Sequence, residues 1–302
     1  MPHLEAALGA AEALRTNHIP FGVITKKNLK DLSRHQVIVL PNALRLSDEE
    51  VNAIKDYVTS GGSVYASKFT LRSKLSEILE ASYMGETKEK YTYIAPTSHG
   101  ESLLPEISRQ YPLSIPETQV KADLPSRENV MATITLPYTD PEDPFKFASI
   151  HSNPPGVKTE YPALIFKKIG KGRIVWSSAP IETYASQSLK HRSIFTHIIK
   201  ALTRKPLSFE ANAPGCVEFL LFHNPEERRY LVNIVNFQSE IGEPNIPVDN
   251  VLLKVKIKEK LLRVVSLPDE KQILFTREGE YININIPKLQ TFQMLSLDYR
   301  AD

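Results

Sequence analysis

The chain has 302 residues, enough for about two domains and a sizeable buried core. Its 37 Lys and Arg are mixed with 35 Asp and Glu, for a formal net charge of +2, and no basic block of the kind that marks a nucleic-acid surface occurs. The single cysteine, Cys216, excludes an internal disulfide and an all-cysteine zinc site, and no apolar run approaches the roughly 18 residues of a membrane span.

In chain order, Leu4 to Leu14 has apolar positions at helical spacing, and Ile19 to Thr25 reads as a strand. Glu5 within that first helical pattern argues against a signal-peptide core, which favours the cytoplasm. Val37 to Leu40 is an apolar run of strand length. Ser47-Asp48-Glu49-Glu50 opens a helix with acids at the positive end of its dipole, and Gly61-Gly62 precedes a strand from Ser63 to Ala66. This is β-α-β grammar for a parallel sheet. A doubly wound sheet ordinarily opens on a strand, so a chain opening on a helix predicts that the first strand is missing and one sheet edge is open.

From Tyr91 to Pro162 the periodicity becomes irregular and proline-rich, with short strand candidates at Tyr91 to Ile94, Val130 to Leu136 and Phe147 to Ile150. We read this stretch, about 85–160, as an elaborated insertion. Ala163 to Lys167 and Arg173 to Ser177 flank Gly170-Lys171-Gly172 as a hairpin, and His191 to Leu202 forms a closing helix. After Arg204-Lys205-Pro206 the period changes. Seven short strands follow: Val217 to Phe222, Arg229 to Val235, Val251 to Ile257, Leu261 to Ser266, Lys271 to Thr276, Tyr281 to Ile286 and Phe292 to Leu297. They predict a small antiparallel β-sandwich over 206–302. The fold class is thus α/β over 1–205, a doubly wound, mostly parallel, flavodoxin-like sheet, followed by that sandwich.

The order of these units resembles the C-terminal half of family-42 β-galactosidases and related glycosyl hydrolases. There a catalytic barrel precedes a class I glutamine amidotransferase-like domain, the trimerisation domain, and a small β-sandwich. The resemblance rests on residues 18–24, Val39 to Asn42 with Tyr57 to Gly62, Pro137 to Pro141 with residues 147–151, Gly170 to Arg173 with Ala179 to Glu182, and Arg229 to Asn233 with Val235-Asn236. It implies a non-catalytic accessory and oligomerisation region, partnered by copies of itself or by a glycosidase barrel, with carbohydrate as a further ligand. The catalytic barrel itself is absent. Glycoside hydrolysis needs two carboxyl groups about 5 Å or about 6.5–9.5 Å apart, and a barrel that presents them takes about 250 residues. Two other domains already occupy this chain.

Candidate site residues follow. Ser67 stands where amidotransferase-like domains place their nucleophile, but Ala66-Ser67-Lys68-Phe69-Thr70 has none of the glycines that a nucleophile turn requires. The alternative is a strand-end serine that caps the next helix. Asp140, His151 and Asn153 belong to a proline-stiffened polar stretch, a sugar-facing loop or simply a set of turn formers. Glu182, Tyr184 and His191 follow the last long strand, at the carboxyl edge where doubly wound folds hold ligands, or anchor the closing helix. The eight histidines show no ligand spacing, and Gly170 to Arg173 lacks the Lys-Ser/Thr pair and helix of a phosphate loop, so neither metal nor cofactor is expected. Two other functions stay open. One is a hydrolase using Ser67 or the acidic loop. The other is a stand-alone carbohydrate-binding protein, which the single Trp176, inside a core strand, disfavours.

Overall fold

Ser63–Ser67 is buried at every position because it is covered on both faces. Ser63, Tyr65 and Ser67 point to one side, where the Ser63 hydroxyl donates to the Leu202 carbonyl and the Tyr65 ring meets Phe195 edge-on at 5.1 Å. Val64 and Ala66 point to the other, into a core with Ile54, Tyr57, Val58 and Trp176. This period-2 division lets one short strand receive a helix on each side. The computed structural model describes residues 2–149, 152–238 and 244–300. It groups into two compact units, Met1–Ala13 with Val23–Lys205, and Leu14–Gly22 with Pro206–Asp302.

The first unit is built on a seven-stranded sheet. In chain order its strands are β1 (Val37–Leu40), β2 (Ser63–Ser67), β4 (Thr92–Pro96), β5 (Leu113–Ile115), β7 (Val130–Pro137), β8 (Pro155–Ile169) and β9 (Gly172–Ser177); β3 (Ser82–Glu86) and β6 (Val120–Asp123) pair separately. The spatial order is β1-β2-β9-β8-β7-β4-β5. Only β1, β2 and β9 run parallel, and every other pairing is antiparallel. The sheet is therefore mixed, where the sequence reading expected a mostly parallel one. The stretch read as an insertion supplies β4, β5, β7 and the start of β8, about half of the sheet. Its strands pair by hairpins and meanders that carry no helix between them, so the βαβ rhythm that signals a parallel sheet is missing.

The helices are α1 (Pro2–Thr16), α2 (Asp48–Thr59), α3 (Leu75–Leu79) and α4 (Leu189–Leu202). Helix α2 starts as its sequence dictates. Ser47 Oγ accepts from the Glu50 amide at 3.3 Å, and the Glu50 carboxylate accepts from the Ser47 amide at 2.7 Å. Ser47→Ala is expected to cost about 1 kcal/mol in urea unfolding. Ile19–Thr25, expected as a strand, has no regular structure. Pro20 and Gly22 weaken it, and Phe21, Gly22 and Val23 are exposed in succession, so buried and exposed positions do not alternate as in a half-buried strand. Phe147–Ser149 is likewise no strand, and Ile150 lies outside the described residues.

Hairpin β8–β9 turns at Gly170, whose φ of +55° suits glycine. Gly172 then passes so close to α2 that a Cβ there would lie 2.1 Å from the Val58 carbonyl oxygen. Gly172→Ala should destabilise by about 1–3 kcal/mol, read from the unfolding midpoint.

The second unit has two antiparallel sheets. One runs β10 (Phe209–Asn212), β13 (Val248–Lys256), β17 (Tyr281–Leu289), β16 (Phe275–Glu278). The other runs β11 (Val217–Asn224), β12 (Arg229–Asn236), β18 (Phe292–Arg300), β14 (Lys260–Leu267), β15 (Lys271–Gln272). Alternating residues of both, such as Val251, Leu253, Val255, Val232, Ile234 and Leu297, share one core. The single strand expected over Lys271–Thr276 is two. β15 pairs with Val265–Ser266 and β16 with β17, so the chain changes sheets within it.

Candidate functional site: a polar knot at the carboxyl end of β2

At the end of β2 the sequence places Tyr65 and Ser67 on one face, and both hydroxyls donate to one carboxylate. Tyr65 Oη lies 2.6 Å from Glu182 Oε2, and Ser67 Oγ lies 2.6 Å from Glu182 Oε1. Glu182 sits in a short 3-10 helix, Ile181–Tyr184, and is wholly buried. Burial raises its pKa from 4.5 to about 7, against the lowering effect of the Ser67 and Tyr65 hydrogen bonds. Burial and the adjacent carboxylate also push the Tyr65 phenol well above its ordinary value.

The Ser67 hydroxyl is fully employed. It donates to Glu182 and accepts from the Asn42 amide at 2.8 Å. It makes no capping bond to the helical turn that follows, so the helix-cap reading is corrected. The turn is instead tied by Thr70, whose hydroxyl donates to the Ser67 carbonyl at 2.8 Å and accepts from the Ala43 amide at 3.1 Å. Among the described residues the carboxylate bonded to Ser67 is as buried as Ser67 itself.

The residue that sequence reasoning missed is Lys68. Its φ of +42° is left-handed, which strains a side-chain-bearing residue by about 1–3 kcal/mol. Its ammonium, 5% exposed as a residue, donates to Glu117 at 2.5 Å and the Thr118 carbonyl at 3.0 Å, and lies 3.4 Å from Glu86. Its carbonyl accepts from the Trp176 indole at 3.2 Å. A strand-end residue at positive φ is the backbone geometry of a nucleophile turn. Here the position carries a cation neutralised by two carboxylates. The sequence signal for Lys68 is its place directly after the last strand residue; a lysine there does not suggest a nucleophile.

Glu117 also accepts from the Tyr184 hydroxyl at 2.8 Å, and burial beside that carboxylate raises the Tyr184 pKa. The Tyr184 ring lies 5.3 Å from that of His191. His191 joins this periphery as a structural group. Its Nε2 donates to the Ser114 carbonyl at 2.8 Å, Nδ1 accepts from Ser188, and burial lowers its pKa.

Asp140 and Asn153 lie elsewhere, at the β7–β8 connection. The Asp140 carboxylate accepts from the Glu142 amide at 3.0 Å, and Asn153 exchanges hydrogen bonds with Thr139 at 2.8–3.1 Å, closing the base of the loop. His151 lies outside the described residues. Cys216 is a half-buried thiol 3.8 Å from the Asn236 side-chain oxygen. Among the described residues no cluster of His, Cys, Asp and Glu has the makings of a metal site, and no helix is long and apolar enough to cross a membrane.

Comparison with solved structures gives this geometry its setting. α-L-Fucosidase isoenzyme 2 from Paenibacillus thiaminolyticus superposes with a TM-score of 0.76 and 20% identity, over 98% of this chain and 45% of its own. A catalytic mutant of a GH42 β-galactosidase from G. stearothermophilus gives a TM-score of 0.61 at 14% identity, over 98% of this chain and 36% of that one. The β-galactosidase from Bacillus circulans sp. alkalophilus gives 0.61 at 14%, over 98% and 38%. The chain shares its fold with part of these glycoside hydrolases. It spans less than half the length of each. No family model and no curated protein matches its sequence.

Proposed function

We propose that this chain is a non-catalytic accessory and oligomerisation region of glycoside-hydrolase type. On this reading 1–205 is its amidotransferase-like domain and 206–302 its terminal sandwich. The observation that carries it is the polar knot at the end of β2. The left-handed position at the end of β2 carries Lys68, whose charge is matched by Glu117 and Glu86, while Ser67 is bonded to the buried Glu182. The shared fold with glycoside hydrolases over nearly the whole chain, and over only a minor part of theirs, supports the same reading.

Self-association has a physical route in β1. It is an edge strand of Val-Ile-Val-Leu with no charge to deter pairing, and its one strand partner is β2. Light scattering of the eluting chain at high micromolar concentration should give a discrete dimer or trimer; a strict monomer would sink the oligomerisation reading. Assays on chromogenic glycosides and esters should give no turnover. Activity that disappears in Ser67→Ala would replace this proposal with a hydrolase.

A further inference from the structure

Between the outer stretch of the β7–β8 ladder and the loop that leads into β5 lies a cleft of about 390 Å³. Its charged lining is one-signed. Lys158 stands on β8 directly opposite Thr135 of β7, and Arg109 and Gln110 enter from the loop. Arg109 Nε donates to the Pro96 carbonyl at 3.2 Å, which anchors the side chain. Among the described residues neither Arg109 nor Lys158 has a carboxylate partner. Both are exposed at the mouth of the cleft, where an anion in solution can reach them.

On one wall Gly156 lies so close to Tyr138 that a Cβ there would meet the Tyr138 Cα at 2.5 Å, so backbone packs on backbone along that side. The volume falls in the range of small-molecule sites, roughly 300–1,000 Å³. Two convergent unpaired cations, an amide and a hydroxyl are the donor set for an anion attached to a polar body.

We propose that this cleft binds a small molecule of about sugar size bearing a carboxylate, sulfate or phosphate, with Arg109 and Lys158 holding the anion and Gln110 and Thr135 meeting neighbouring hydroxyls. The site stands apart from the knot at β2 and does not depend on the accessory role.

The test is calorimetric titration of the whole chain at low salt with D-galacturonate, inorganic phosphate, inorganic sulfate and neutral D-galactose. At least one anion should saturate the chain at millimolar concentration and bind tenfold or more tightly than galactose. Its affinity should fall about tenfold in Arg109→Gln and in Lys158→Gln, and should weaken with added salt. Tighter binding of galacturonate than of the inorganic ions assigns the anion to a sugar acid; the reverse order assigns a phosphate or sulfate ester. Both variants lie on the surface, and circular dichroism confirms their folding. No saturable anion binding, or binding unchanged in both variants, overturns the proposal.

Discussion

Replacing Glu182 with glutamine should remove the loss of stability that ionisation of this buried carboxyl causes between pH 5 and pH 8. The carboxyl pKa rises from 4.5 unfolded to about 7 folded, so the folded state holds the proton more tightly. The stabilisation linked to that proton is fully present below pH 4.5. It is lost progressively as pH rises through 7, by roughly 2–3 kcal/mol between pH 5 and pH 8. A glutamine can accept from one hydroxyl and donate to the other, and it never ionises. Urea unfolding followed on Trp176, the sole tryptophan and wholly buried, gives the comparison directly. Glu182→Gln should fall slightly below wild type at pH 5 and gain relative to it at pH 8. Parallel pH profiles for the two proteins would show that Glu182 is not the titrating group.

The second large effect belongs to Lys68. Lys68→Met keeps the stem but leaves Glu117 and Glu86 without their cation. Breaking a buried ion pair from one side costs about 3–5 kcal/mol, and here the two carboxylates retain some solvent, which places the loss near about 3 kcal/mol. Adding Glu117→Gln should recover part of it, because the repulsion that remains is then removed. Lys68→Gly should lose less than Lys68→Met, since glycine releases the left-handed strain. A loss under about 1 kcal/mol in Lys68→Met would show that the ion pairs are already solvated.

What was legible in the sequence divides along physical lines. Val37–Leu40, the Ser47 cap, α2 and the Gly170 turn were readable because each is specified by neighbours along the chain. The alternation of Val251, Leu253, Val255 and Ile257 likewise announced a half-buried strand. The mixed character of the sheet was not readable. Strand direction is decided by where β4, β5 and β7 find partners, and nothing local in Thr92–Pro96 records that it will lie against Thr133 and Ser114.

The site shows the same division. Ser67 and Glu182 were both picked out, yet their bond spans the distance from β2 to the helix after β9, and only the fold reveals it. Lys68 was passed over because its chemistry lies in a backbone angle and in two distant acids. Asp140 and Asn153, read either as sugar-facing or as turn formers, bond within the turn they sit in.

The register of β2 with β9 bears on how the chain reaches its fold. Ser67 lies beside Ser177, so everything from β3 through β8 is threaded between two adjacent strands. Hairpin β8–β9 closes locally and can form early, whereas the β2–β9 ladder requires a loop of more than a hundred residues to close. Until it does, Val64, Tyr65 and Ala66 present an apolar strand lacking its second neighbour. During synthesis that strand has left the ribosome well before β9 exists, so its apolar edge stays unpaired and aggregation-prone in the interval.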